Sequence, residues 1–267
     1  MSMNLDDRMK QYEYVTRTYL TRRIPTIIRI DGKAFHSFTK GLRKPFDAIL
    51  MAAMQNTMKS LCENVQGCVF GYTQSDEITL VLTDYEKIET DAWFGYNIQK
   101  IASVSASMAT MYFNKFFRAE VAAASILEDY KNDEEYIINL YRKLDTAVFD
   151  SRVFSLPKDE VVNCLIWRQQ DAIHNSIQSV GQAFFSSKEL DGVPCDSIKN
   201  MLRNVHGLIF DDLPAKCKFG ACCVRVPETV VSKDKNGDEI TVERHPWKIC
   251  DETPIFLHER EWIEGMI

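Results

Sequence analysis

Apolar residues recur at Met9, Tyr12, Val15 and Tyr19, a spacing that predicts an amphipathic helix over residues 5–20. Beyond Pro25 the pattern tightens into a short apolar run, Thr26 to Ile30, read as a strand that ends in Asp31-Gly32. Residues 33–45 form a basic loop closed by Lys44-Pro45. A helix follows over about 46–64, with Ile49, Met51, Ala52, Met54, Met58 and Leu61 as candidate core, and Gly67 breaks it. Strands at 68–73 and 77–82 flank a tight connection, Thr73-Gln74-Ser75-Asp76. A long helix is predicted at 90–118 and a fourth strand at 144–149 or slightly beyond. Residues 157–186 read as a helix opened by Pro157, and 193–204 as a shorter one. From about 217 to 257 strands alternate around Lys235-Asn236-Gly237-Asp238, an Asn-Gly hairpin signal. Trp167 is expected in the core, because large aromatics mainly fill cores.

Strand, helix, strand, strand, helix, strand is the order of the split βαβ, ferredoxin-like arrangement, so an α+β fold is predicted. Right-handed crossovers place the first strand between the third and the fourth. The end of the first strand then meets the start of the third. Asp31 is thereby brought toward Asp76 and Glu77, and three carboxylates are expected to converge. The C-terminal third reads as a lobe packed on this core.

Composition adds little until it is divided along the chain. The 267 residues are 45% hydrophobic and 26% charged, an ordinary globular mix that excludes disordered, collagen-like and coiled-coil chains. The net charge of −6 does not favour nucleic acid as a bulk effect. Residues 1–45, however, carry ten Lys or Arg against four acids, a local +6 that leaves −12 elsewhere. That segment suits a phosphate-binding face or a solvated helix surface. The eight cysteines form no CxxC pair and fit buried thiols of a reducing compartment. Cys222 and Cys223 are expected on opposite sides of a strand. His245, Cys250 and His258 match no familiar zinc spacing. Without a signal-like N-terminus or a run of about 18 apolar residues, a cytoplasmic protein is expected.

Clustered acids repel one another unless a cation joins them. Carboxylates, a backbone carbonyl and substrate phosphates are the ligands that suit Mg²⁺. Gly32 lets backbone approach a ligand, and Lys33, Arg43 and Lys44 balance phosphate charge. Two ions about 4 Å apart can activate an attacking oxygen and stabilise a leaving one in phosphoryl transfer. Taken alone, Asp31 also suits a plain strand end and Ser75-Asp76-Glu77 a plain turn.

Five stretches then occur together in order: Arg29-Ile-Asp-Gly-Lys-Ala-Phe-His36, Lys44-Pro-Phe-Asp47, Gly71-Tyr-Thr-Gln-Ser-Asp-Glu77, Phe149-Asp-Ser-Arg-Val153, and Trp167-Arg-Gln-Gln-Asp171 followed by Asn175. Over residues 1–180 or so the sequence resembles the tRNA(His) guanylyltransferase family and its tRNA-repairing relatives, the 3′-to-5′ polymerases. The resemblance implies a polymerase-palm-like catalytic core with its N-terminal helix over residues 1–150. Residues 151–267 are then a helical and β-hairpin lobe. It implies two Mg²⁺ ions held by Asp31, the Gly32 carbonyl and Asp76, with Glu77 assisting, and Asp31, Asp76 and Glu77 as the catalytic set. It implies nucleotide contacts from Lys44, Ser75 and Asn175 to triphosphate. Asp47 and the stretch Lys33, Ala34, Phe35 and His36 are implied for the base and sugar. Arg29, Lys100, Arg152 and Arg168 are implied as tRNA or phosphate contacts. The implied partners are tRNA, ATP and GTP, with other nucleoside triphosphates in repair. The implied assembly is a homotetramer, a dimer of dimers.

The match has departures. Where the eukaryotic enzymes carry a His that helps select the histidine tRNA, Ile173 stands, and His174 is one residue late. One helical step turns a side chain by about 100°, so His174 should not substitute. An Arg of that pattern is Asn97 here. The expected activity is therefore template-directed 5′-end repair, with base pairing supplying specificity. Strict guanylylation of tRNA(His), a nucleotidyl cyclase and a non-catalytic RNA- or nucleotide-binding protein are the alternatives.

Overall fold

The computed structural model describes residues 3–131, 133–233, 235 and 239–267. Asn236-Gly237-Asp238, the centre of the predicted hairpin turn, lies outside the described residues. The chain opens with α1 (Leu5–Tyr14), β1 (Thr26–Gly32), the short α2 (Phe35–Phe38) and α3 (Ala48–Asn64). The strands β2 (Cys68–Gln74) and β3 (Glu77–Leu82) lead into the long α4 (Ile98–Ala124). Two short helices, α5 (Glu128–Lys131) and α6 (Glu134–Arg142), precede β4 (Phe149–Ser155). A second long helix, α7 (Lys158–Phe184), is followed by α8 (Ser187–Leu190), α9 (Cys195–His206) and α10 (Ala215–Lys218). Strands β5 (Ala221–Arg225), β6 (Glu228–Lys233), β7 (Glu239–Arg244) and β8 (Trp247–Ile249) and the helix α11 (Arg260–Glu264) complete it.

Six strands form one antiparallel sheet in the order β4-β1-β3-β2-β5-β8. β1 lies between β3 and β4, where right-handed crossovers were expected to put it. β5 and β8, from the last fifth of the chain, extend the sheet beyond β2, while β6 and β7 pair as a separate ribbon.

Alternation along the strands divides the interior into two layers. Ile28, Ile30, Ile78, Leu80 and Leu82 face α3 and α4 and join Met54, Met58, Phe113 and Phe117 in the larger cluster. Ile27, Val81, Phe70 and Tyr72 face the other way and pack with Val161, Leu165 and Phe256. Cys222 and Cys223 fall in different layers, as their adjacency on a strand requires.

Three predicted elements shift. α1 stops at Tyr14 and buries none of its residues, so Met9, Tyr12 and Val15 stay exposed. α4 begins at Ile98 rather than near 90, because Phe94 and Gly95 adopt positive φ and break the helical path. Asn97 then caps α4 by accepting from the Lys100 amide at 3.0 Å. β4 begins at Phe149, since residues up to Arg142 are still helical and Asp145 turns the chain with φ 58°. Among the described residues no helix is long and apolar enough to cross a membrane.

Candidate functional site

At one end of the sheet the layer facing α7 stops being apolar. Asp31 lies opposite Glu77 on β3 and Asp150 on β4, and Arg29 lies opposite Thr79 and Arg152. Polar residues alternate here with the buried Ile28 and Ile30, so one strand supplies core on one side and chemistry on the other. The turn between β2 and β3 is fixed to β1 by Gly32, whose amide donates to the Asp76 carbonyl at 3.1 Å. Ser75 occupies the left-handed region at φ 49°, a conformation costly for a residue with a side chain. Its hydroxyl donates to Asp76 Oδ1 at 3.0 Å. Burial pushes the Asp76 carboxyl above its ordinary range, the Ser75 bond opposes this, and the charge of Asp31 adds to the rise. Among the described residues Asp76 has no basic partner. Gly32 is required sterically as well. A Cβ there would come within 2.3 Å of the Phe35 ring.

The expected convergence of three carboxylates is corrected. Among the described residues no group of three or more His, Cys, Asp or Glu is placed to hold a metal ion. Glu77 stays within reach of the Asp31 charge but is paired with arginines. Arg168 Nε donates to Glu77 Oε1 at 2.7 Å, and Arg29 approaches Oε2 at 4.0 Å. Burial pushes the Glu77 carboxyl up, and the Arg168 guanidinium pulls it the other way. Arg168 also donates to Asp171 at 2.8 Å and is buried between the two acids. Its guanidinium is engaged with both carboxylates and the residue is 7% exposed. Trp167 is corrected too. It is 52% exposed, with Arg168 4.3 Å and Arg29 5.6 Å from its ring centroid. Arg152 stays half exposed, 3.9 Å from Asp31 and 3.8 Å from Asp150.

Beside the β2–β3 turn lies a cavity of about 600 Å³. Its lining brings together His36, Lys44, Asp47, Ser75 and Asn175, five predicted nucleotide contacts drawn from four separate segments. The cations Lys40, Arg43, Lys44 and Lys216 line it, while α7 contributes Asn175, Ser179 and Gln182. Asn175 Nδ2 donates to Asp171 at 3.3 Å, which couples the cavity wall to the Arg168 pair.

Other predicted contacts are placed elsewhere. Phe35 is core, stacked on Phe38 at 4.8 Å and packed on Phe149 at 5.1 Å and Phe113 at 5.5 Å. Each such ring pair contributes about 0.5–1.5 kcal/mol beyond burial and fixes the loop that follows Gly32. Lys33 and Ala34 are exposed at the turn into α2, outside the cavity lining. Lys100 is exposed on α4, 5.9 Å over the Phe94 ring, and is also not a cavity residue.

Asp47 lines the cavity, but its oxygens are committed to the protein. Oδ1 caps α3 by accepting from the Ile49 and Leu50 amides, each at 3.0 Å. Oδ2 accepts from the Arg43 amide at 2.9 Å and the Tyr136 hydroxyl at 2.6 Å. A carboxylate has about four acceptor sites, and these four bonds fix the loop that carries Lys44. Tyr136, on α6, was not anticipated. The Arg43 guanidinium lies over its ring at 4.7 Å and over Tyr130 at 4.2 Å, and Arg43 also reaches Asp133 at 3.5 Å. Nothing local in the sequence ties residues 130–136 to a loop some ninety positions earlier.

At the departure positions, Ile173 is half-buried and packs against the cluster of Val180, Leu190 and Ile198. His174 is exposed and meets Cys195 Sγ at 3.2 Å through Nδ1.

Three comparisons with known proteins bear on this geometry. Residues 6–157 match the family model described as Thg1, tRNAHis guanylyltransferase. A solved bacterial tRNA(His) guanylyltransferase (Thg1)-like protein in complex with ATP is 39% identical, with 99% of each chain covered and a TM-score of 0.81. A second solved bacterial Thg1-like protein, in complex with GTP, is 39% identical with 98% of each chain covered and a TM-score of 0.75. A probable tRNA(His) guanylyltransferase of Dictyostelium discoideum is 24% identical over 84% of this chain and 86% of its own.

Proposed function

The chain belongs to the tRNAHis guanylyltransferase family, and on that premise we propose that it is a 3′-to-5′ nucleotidyltransferase acting on tRNA 5′ ends. The observation that carries this reading is a cavity joining four cations to Ser75 and Asn175, with Asp76 next in the chain to Ser75 and bonded to it. The likeness to bacterial proteins in complex with ATP and GTP supports a nucleoside triphosphate there. In this reading residues 1–150 are a palm-like catalytic core, and residues 151–267 a lobe that adds Asn175 and Lys216 to its cavity.

The residues present fit a divalent cation as a pair of acids. Burial and the charge of Asp31 raise the cost of ionising Asp76, and Asp76 has no basic partner among the described residues. Mg²⁺ is commonly bound by one or two carboxylates together with substrate phosphates. Asp31, Asp76 and the Gly32 carbonyl would hold the two ions that the family resemblance implies. When bound, magnesium supplies charge neutralisation on the phosphates. Glu77 acts with Arg168 to position this end of the sheet. Lys44 and its cationic neighbours hold the triphosphate, Ser75 fixes Asp76, and His36 and Asn175 border the nucleotide.

The chemistry joins two parts. A 5′-phosphate oxygen of the tRNA attacks the α-phosphorus of ATP, pyrophosphate leaves, and the 5′ end is activated. The 3′-hydroxyl of an incoming GTP or other nucleotide then attacks that 5′ phosphorus, and AMP leaves. Repair is favoured over strict guanylylation of tRNA(His) because the selecting position holds Ile173, turned into an apolar cluster. Base pairing with the opposite strand then chooses the nucleotide, and the protein reads tRNA shape and phosphates through exposed Arg152 and Lys100. The exposed apolar residues of α1 support a homotetramer as the working assembly.

The test is purified protein with Mg²⁺, ATP and all four nucleoside triphosphates, offered several tRNAs lacking the 5′ nucleotide. The expected product is one residue longer and complementary to the opposing base. Guanylylation of tRNA(His) with no extension of any truncated tRNA would establish the strict activity instead.

A further inference from the structure

Among the described residues two glutamines are buried, and they are treated differently. Gln169 uses its whole amide: Nε2 donates to the Pro254 carbonyl at 2.8 Å and Oε1 accepts from the Phe256 amide at 2.7 Å. Gln74, the last residue of β2, is only 8% exposed and lines the cavity. Among the described residues its side chain has no hydrogen-bond partner. Its polar neighbours are satisfied: Thr73 donates to the Glu77 carbonyl at 2.9 Å and Ser176 to the Cys217 carbonyl at 2.8 Å. The residue is largely enclosed, yet its amide nitrogen and oxygen are not among the fully buried polar atoms that lack a partner, so they keep a route to the cavity it lines. A molecule that enters the cavity and displaces water there meets a free donor and a free acceptor.

The amide also limits which part of that molecule it meets. It offers two donor hydrogens and one acceptor oxygen, whereas phosphate oxygens at neutral pH mainly accept. A phosphate would use only the NH2 of this amide and leave its oxygen unpaired, and the cavity already has Lys40, Lys44 and Lys216 for phosphates. A ribose hydroxyl or a base edge presents donor and acceptor together and pairs with the whole amide. The uncharged Ser179 and Gln182 on α7 offer the same kind of chemistry.

We infer that Gln74 contacts the nucleoside part of the bound nucleotide, and so contributes affinity for base or sugar as distinct from triphosphate. This rests on the reading of the cavity as a nucleotide site, and the experiment separates the two. Titration calorimetry on the full chain at fixed salt and Mg²⁺ compares ATP, GTP and inorganic tripolyphosphate for wild type and Gln74→Met. The variant is expected to bind ATP and GTP about tenfold more weakly, with tripolyphosphate unchanged, on the scale of one or two lost hydrogen bonds. Equal losses for ATP and GTP place the contact on the sugar, and unequal losses place it on the base edge. Unchanged nucleotide affinity overturns the inference and leaves the cavity reading intact. Equal weakening of nucleotides and tripolyphosphate overturns it as well, since the defect is then general. Failure of wild type to bind either class removes the nucleotide reading and the inference with it. Should thermal unfolding show Gln74→Met to be poorly folded, Gln74→Asn, one methylene shorter, must show the same selective loss.

Discussion

The two faces of the central sheet are built by the same strands and do different work. Toward α3 and α4, β1 and β3 present Ile28, Ile30, Ile78, Leu80 and Leu82, all fully buried. Toward α7, the alternate positions begin apolar with Ile27 and Val81 and end in Arg29, Asp31 and Glu77. The first face is uniform from end to end, and its loss is a matter of packing volume. The second changes character within four residues, and its charged end is organised by ion pairs from α7. The charged groups here are thus anchored by their neighbours on the opposite face. Each charged side chain sits one residue from a buried Ile in the same strand.

The largest effect that distinguishes the faces is expected at the acids. Asp31→Ala or Asp76→Ala should reduce nucleotide addition by about 10³-fold or more, in keeping with the several kcal/mol that metal-held charge supplies. Circular dichroism should be unchanged, because neither side chain is core. Retention of near-wild-type turnover by either variant would remove these acids from the site. Next in size is Arg168→Met, which leaves Glu77 buried without its partner and should destabilise the fold by about 3 kcal/mol. Chemical denaturation measures it, and a change below about 1 kcal/mol would mean that Glu77 finds another partner.

A smaller effect is expected from Tyr136→Phe, which removes one donor from Asp47 at a cost of about 1–2 kcal/mol. Steady-state kinetics should show the nucleotide KM raised five- to tenfold at about constant kcat, since the loop carrying Lys44 is loosened and the acids are untouched. A fall in kcat at constant KM would contradict this. The smallest effect belongs to Lys100→Ala. tRNA binding should weaken only a few-fold, with the slope of log affinity against log salt reduced by about one. An unaltered slope would take Lys100 off the RNA surface.

Much of this was legible in the sequence where local pattern and topology agree. The apolar runs gave β1, β2 and β3, helical periodicity gave α3 and α7, and crossover handedness placed β1 between β3 and β4. Register alone brought Asp31 opposite Glu77. What escaped was the partner choice of side chains across long separations. Glu77 is claimed by Arg168, 91 positions away, so it is ion-paired although the charge of Asp31 still reaches it. Asp47 is held by Tyr136, on a helix some ninety positions later that the pattern reading did not assign. Trp167 defied the expectation of burial because the arginines packed around its ring keep it at the surface. The later start of α4 follows from a positive-φ turn at Phe94-Gly95.

Cys222 and Cys223 are consecutive in β5, both wholly enclosed, and belong to separate apolar layers. Neither thiol meets a reagent until its own side opens. Alkylation at each sulfur, resolved by peptide mass, therefore clocks the opening of one layer independently of the other. Ligands or partners that tighten only the α7 side would slow labelling of Cys222 and leave the rate at Cys223 where it was. A single dipeptide thus serves as a built-in two-channel gauge of which half of the molecule yields first.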